Sequence, residues 1–229
     1  MSKFGRMAVA AAALLTVAAI TSCKDDNKNP VPPISQGRIM TVHASPNAPA
    51  VDLLVDGAVA GSGLAYPNNT AYLTVTAGTR NVKVNVAGTS TTVINANLPI
   101  AANASYTVFA TDSVSKIAPL VLTDNLATPA SGKAHVRFVH LSPNAPAVDI
   151  AVTGGAVVFP NQTFKGYTAF TPLDAGTYNL EVRLAGTSTV VLPLPGITLQ
   201  AGKIYTVFAK GFGGGAGTQA LGAQIIVNN

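Results

Sequence analysis

The sequence predicts an all-β protein made of two tandem immunoglobulin-like antiparallel β-sandwich domains behind an N-terminal signal peptide. Three observations predict it. An eleven-residue segment occurs twice, 97 residues apart. Apolar and polar side chains alternate at period two inside both copies. Finally, 21 Gly and 15 Pro punctuate a chain rich in Thr, Val and Ala, with few Glu, Lys and Leu at helical spacing. At 48% apolar and 10% charged residues, the 229-residue chain can bury a core and is not globally disordered. One cysteine excludes a disulfide framework and any cysteine cluster for zinc or iron-sulfur chemistry.

The first element, residues 1–22, is a lipoprotein signal peptide. Lys3 and Arg6 precede an uncharged run from Met7 to Ile20, and small residues follow up to Cys23. That run of 14 residues is shorter than the roughly 20 that a helix needs to cross the hydrocarbon core. Ile20-Thr21-Ser22-Cys23 resembles the lipobox of bacterial lipoproteins. The resemblance implies lipidation of the Cys23 thiol and cleavage just before it. The only cysteine of the chain stands at the one position where that motif requires it. More than one acyl chain makes such an anchor firm, each buried CH₂ contributing about 0.8 kcal/mol.

Lys24, Asp25 and Asp26 follow at once. They are similar to the surface-export signal of some Gram-negative lipoproteins, which implies an outer-membrane lipoprotein facing the cell exterior; a periplasm-facing protein on a solvated tether is the alternative. Residues 23–36 then complete a polar, Pro-rich spacer.

Two copies of one unit follow. Val42-His43-Ala44-Ser45-Pro46-Asn47-Ala48-Pro49-Ala50-Val51-Asp52 returns as Val139-His140-Leu141-Ser142-Pro143-Asn144-Ala145-Pro146-Ala147-Val148-Asp149. Ala87-Gly88-Thr89-Ser90 returns as Ala185-Gly186-Thr187-Ser188 at an offset of 98, and Tyr106-Thr107-Val108-Phe109-Ala110 as Tyr205-Thr206-Val207-Phe208-Ala209 at 99. A drift of two residues needs only two single insertions, which turns accept. The copies span 37–125 and 134–229.

Within each copy, Val82, Val84 and Val86 alternate with Lys83 and Asn85, and Leu180, Val182 and Leu184 with Glu181 and Arg183, as half-buried strands do. Val51, Leu53 and Val55, and Val148, Ile150 and Val152, repeat the pattern. Asp56-Gly57, Ala77-Gly78-Thr79 and Ala87-Gly88-Thr89 supply turns. Such runs amount to about seven strands per copy, the spacing of a sandwich.

The V-H-x-S-P-N-A-P-A-V-D segment opening each copy resembles the start of domain-of-unknown-function family 4397, found in bacterial secreted proteins and lipoproteins. The similarity extends over nearly all of 37–229. It implies an all-β extracytoplasmic domain and brings no functional residues with it.

His43, Ser45 and Asp52, with the copy His140, Ser142 and Asp149, are the residue types of a hydrolase triad. His and Ser stand at i and i+2, so a continuous strand would hold them about 6 to 7 Å apart, too far for direct proton transfer. No Gly-x-Ser-x-Gly elbow is present. Ser-Pro-Asn-Ala-Pro reads instead as a rigid turn in which Ser45, Asn47, Ser142 and Asn144 bond nearby backbone. Asp52 and Asp149 face away from the apolar positions, where they can accept loop amides. The eight residues are therefore loop-contact candidates and not a catalytic set, and no cofactor is expected.

One His and one Asp per copy is a poor metal ligand set, and His135 has Arg38 as its counterpart, so no metal is expected. The run Gly211 to Gly217 leads into the strand-like Ile225-Ile226-Val227 and reads as a hairpin connection, not a phosphate loop.

The formal charge of +5 does not mark a nucleic-acid partner. Removing Lys3 and Arg6 with the signal peptide takes 14 basic residues to 12, against 9 acidic ones, and those left are scattered. The expected partners are the membrane, through the lipid anchor, and an envelope protein or glycan. The expected role is a non-catalytic binding, adhesion or structural module of the cell envelope. The alternatives are a secreted hydrolase using the loop's His, Ser and Asp, or a glycan-binding accessory module stacking sugar on Tyr66, Tyr72, Tyr167 or Tyr178.

Overall fold

A computed structural model describes residues 34–229; the signal peptide, Cys23 and Lys24 to Asp26 lie outside the described residues. The first copy contributes eight strands, one more than the turn spacing suggests. They are β1 (Gln36–His43), β2 (Val51–Val55), β3 (Ala58–Leu64), β4 (Leu73–Thr76), β5 (Gly78–Val86), β6 (Thr92–Ile100), β7 (Ser105–Thr111) and β8 (Ala118–Asp124). The second copy repeats them as β9 (Lys133–His140), β10 (Val148–Val152), β11 (Val157–Gln162), β12 (Thr171–Asp174), β13 (Gly176–Leu184), β14 (Val190–Leu199), β15 (Ile204–Lys210) and β16 (Gly222–Val227).

Each copy is a sandwich of two four-stranded sheets. The first pairs β4-β1-β7-β8 with β3-β2-β5-β6, the second β12-β9-β15-β16 with β11-β10-β13-β14. The ladders are antiparallel except for β1–β7 and β9–β15, which run parallel. The chain leaves β1 for the opposite sheet through the SPNAPA loop and returns from β6, entering β7 in the direction in which it had entered β1. A parallel pair needs a long crossover, and the five intervening strands provide one.

Strand alternation decides what each face covers. On β1, Ile39 packs with Leu53, Val84, Ile94 and Val108 inside the first sandwich. Its neighbours Met40 and Val42 point the other way and pack with Phe109, Leu122, Val139, Leu141, Phe208 and Ile226. The inner sheets of the two sandwiches therefore meet in a third apolar layer, where Phe109 and Phe208 touch edge to face with centroids 6.0 Å apart. Residues 34–229 form one compact unit. Burial on both faces explains why β1, β7, β9 and β15 carry few charged residues.

Candidate functional site

The repeated loops are built from the strand ends upward. His43 closes β1 on the face of Ile39 and Thr41 and is fully buried, and His140 does the same on β9. His43 Nε2 donates to the Pro49 carbonyl at 2.9 Å, and His140 Nε2 to the Pro146 carbonyl at 3.1 Å. A carbonyl only accepts, so Nε2 carries the proton and Nδ1 is the bare nitrogen. Burial pushes both imidazoles below their ordinary value of 6.5, against the pull of the proline carbonyls. Each histidine is thus a neutral brace across its own SPNAPA turn.

The strands end at the histidines, so Ser45 and Ser142 belong to the loops. Both serines are buried. Ser142 Oγ donates to the Gly211 carbonyl at 2.7 Å, while only the Ser142 backbone amide reaches His140 Nδ1, at 3.4 Å. The hydroxyl and the imidazole therefore share no bond of the kind that activates a nucleophile.

Asn47 Oδ1 accepts the Val114 amide at 2.9 Å. Asn144 holds Gly213 from both sides, accepting its amide at 2.8 Å and donating to its carbonyl at 3.1 Å. The glycine-rich segment is accordingly the β15–β16 connection, clamped onto the second SPNAPA loop.

The aspartates do separate work. Asp52 accepts the Gly63 and Gly88 amides at 2.7 and 2.9 Å, and those two bonds hold its carboxyl below the ordinary carboxylate range. Asp149 accepts the Asn161 and Gly186 amides at 2.6 and 2.8 Å. Asp52 joins β2 to β3 and to the β5–β6 turn, and Asp149 joins β10 to β11 and to the β13–β14 turn. Among the described residues, no group of three His, Cys, Asp or Glu side chains could hold a metal ion. No helix among them is long and apolar enough to cross a membrane. Of the four tyrosines considered for sugar stacking, only Tyr167 presents most of its ring, at 56% exposed.

The densest polar cluster lies elsewhere, in the layer between the sandwiches. Arg137 Nη1 meets Asp124 Oδ1 at 2.7 Å, both side chains being at most 3% exposed. Asp124 Oδ2 accepts the Tyr72 and Thr107 hydroxyls at 2.6 and 2.7 Å. Arg137 donates to Thr206 and Thr107 at 2.8 and 2.9 Å, and Thr206 donates to Asn228 at 2.7 Å. The Asn228 amide closes the ring on Tyr72 at 3.1 Å. The guanidinium also lies 4.5 Å from the centre of the Phe170 ring. Matching positions in the two copies carry different residues: Met40 against Arg137, Asp124 against Asn228, Tyr72 against Phe170.

Sequence reasoning missed this cluster. Its one signal is a lone arginine amid the apolar residues of Ala134 to Val139, which alternation alone places on an outward face.

Two tandem β-sandwiches with proline-braced loops define the class of protein. Residues 37–151 and 151–229 match the family described as domain of unknown function (DUF4397). The chain belongs to that family, in two tandem segments. No curated protein matches it.

Proposed function

We propose that the protein is a membrane-anchored extracytoplasmic lipoprotein, tethered through Cys23 and acting as a non-catalytic binding, adhesion or structural module of the cell envelope. One observation carries the non-catalytic part of the reading: the repeated His and Asp side chains, and Ser142 with them, bond backbone groups and not one another, the histidines across their own loops and the others on neighbouring strands and turns. Such a scaffold holds loops in place, and in the second copy the serine hydroxyl is engaged by the Gly211 carbonyl and not by the imidazole. Support for the anchor comes from the lipobox-like Ile20-Thr21-Ser22-Cys23 and the Pro-rich spacer. Lys24-Asp25-Asp26 supports export to the outer face of the outer membrane.

Metabolic labelling with a palmitate analogue tests the anchor: Cys23→Ser abolishes labelling, and labelling that persists refutes the assignment. External protease on intact cells tests the face. Digestion agrees with an exterior protein, and protection with a periplasmic one. Turnover in a hydrolase substrate screen that disappears in a folded His43→Ala, His140→Ala double variant would replace this reading with the hydrolase one.

A further inference from the structure

The two sandwiches differ in how tightly they close, and the difference has a local cause. In the first, β5 and β6 pair without interruption from Gly78↔Ile100 to Val84↔Ile94. In the second, the β13–β14 register shifts between Tyr178↔Ile197 and Leu180↔Leu194, so Asn179 faces the pair Pro195-Gly196. Gly196 adopts φ +68°, and its amide donates to Asn179 Oδ1 at 3.0 Å. This is a β-bulge, and a bulge bends the strand that carries it.

The consequence shows along β14. Ile94 and Leu98 of β6 are buried, whereas Leu192 and Ile197 at the matching positions of β14 are only half-buried although their side chains are as large; beyond the bulge Leu199 is buried like its counterpart Ile100. Between the spread sheets lies a cavity of about 120 Å³, lined almost wholly by apolar atoms from residues that include Phe138, Phe159, Leu194, Ile197, Ala223 and Ile225.

We propose that this cavity is a binding site for one uncharged hydrocarbon group about the size of a single aromatic ring. An apolar cavity near 150 Å³ stays dry and accepts benzene, because water inside it would find no hydrogen-bond partners. The lining gives a charged or hydrogen-bonding ligand nothing to pair with, so a polar occupant is disfavoured by its own desolvation. An apolar occupant regains the dispersion contacts that the lining atoms lack. The site goes beyond the function proposed above and does not depend on it.

Benzene is the probe, added to the whole mature chain carrying Cys23→Ser, with melting and methyl NMR as readouts. Saturating benzene is expected to raise Tm by about 3 °C. It is also expected to shift the methyl signals of Leu194, Ile197 and Ile225 while leaving those of Ile94 and Leu98 in place. Ala223→Leu fills the space and is expected to remove both responses; if that variant fails to fold, Val158→Leu takes its place. Absence of both responses at millimolar benzene, shifts of equal size in the first sandwich, or responses that survive in a folded cavity-filled variant would each overturn the site.

Discussion

Arg137 and Asp124 stand 2.7 Å apart although they come from different sandwiches, β9 of one and β8 of the other. The pair replaces what an exact repeat would put there, since Met40 and Asn228 occupy the matching positions. It therefore breaks the symmetry of the layer where the inner sheets meet. Burying two charges is costly, and their attraction with four further hydrogen bonds offsets the cost. Asp124→Ala leaves the guanidinium buried and unpaired, and urea unfolding should show a loss of about 3 to 5 kcal/mol. The double variant Arg137→Met, Asp124→Asn restores the repeat residues on both sides and should fall within about 2 kcal/mol of the parent. A double variant as damaging as Asp124→Ala would mean that the layer needs the ion pair itself.

Protonation of His43 and His140 sets the acid side of the stability curve. Burial holds both below 6.5 in the folded chain, so below pH 6.5 the unfolded chain takes up protons that the folded chain refuses. Their contribution is fully present above pH 6.5 and is lost as pH falls toward their folded values, by up to about 1.4 kcal/mol per pH unit for each histidine. Asp52 and Asp56, held below 3.8 by backbone amides, lose their contribution only in stronger acid. Tyr72, pushed up to about 12 by burial and then by Asp124, acts at the other end: stability falls as pH rises above 10, where the unfolded phenol ionises first. Melting temperatures measured from pH 7 to 5 should fall in the parent and fall less steeply in His43→Asn, His140→Asn. Equal slopes would remove the histidines as the cause.

Asp149 ties β10 to the Asn161 and Gly186 amides and is 6% exposed. Asp149→Ala strands two amides that had a charged acceptor, and should cost about 2 to 4 kcal/mol in denaturant unfolding. Asp149→Asn keeps one acceptor oxygen and should cost less. Asp52→Ala should shift stability in the same direction. If Asp149→Ala and Asp149→Asn are equally mild, the two bonds do not hold the hairpin.

The strands and their doubling were legible because period-two alternation and turn glycines are local signals. Val82-Val84-Val86 and Leu180-Val182-Leu184 mark a strand that covers a core on one face only. What lies over the other face is not local. Arg137 alternates correctly with Val136 and Phe138, and by periodicity it faces outward; it is buried because a second inner sheet covers that side. The parallel β1–β7 pairing was likewise hidden, since alternation is the same for either strand direction. Among the site candidates, the aspartates could be placed on the polar face from neighbouring valines. The partners of His43 and His140 could not, because each bond closes a six-residue loop whose path the prolines set.

The β15–β16 connection separates two reasons for a glycine. Gly211 has φ +82°, and a Cβ there would sit 2.1 Å from the Ala220 carbonyl oxygen, which belongs to backbone and cannot swing aside. Gly214 has φ +79°, with nothing within 4 Å of a built Cβ. Gly214→Ala therefore meets only the left-handed conformation and should cost about 1 kcal/mol. Gly211→Ala adds a backbone collision next to the carbonyl that Ser142 holds at 2.7 Å, and should cost about 3 kcal/mol or more, with loss of order in the Asn144–Gly213 clamp. Denaturant unfolding compares the two variants, and amide exchange at Gly213 reads the clamp directly. Gly211→Ala as mild as Gly214→Ala, with Gly213 still protected, would show that the loop can shift away from Ala220 without releasing the second SPNAPA turn.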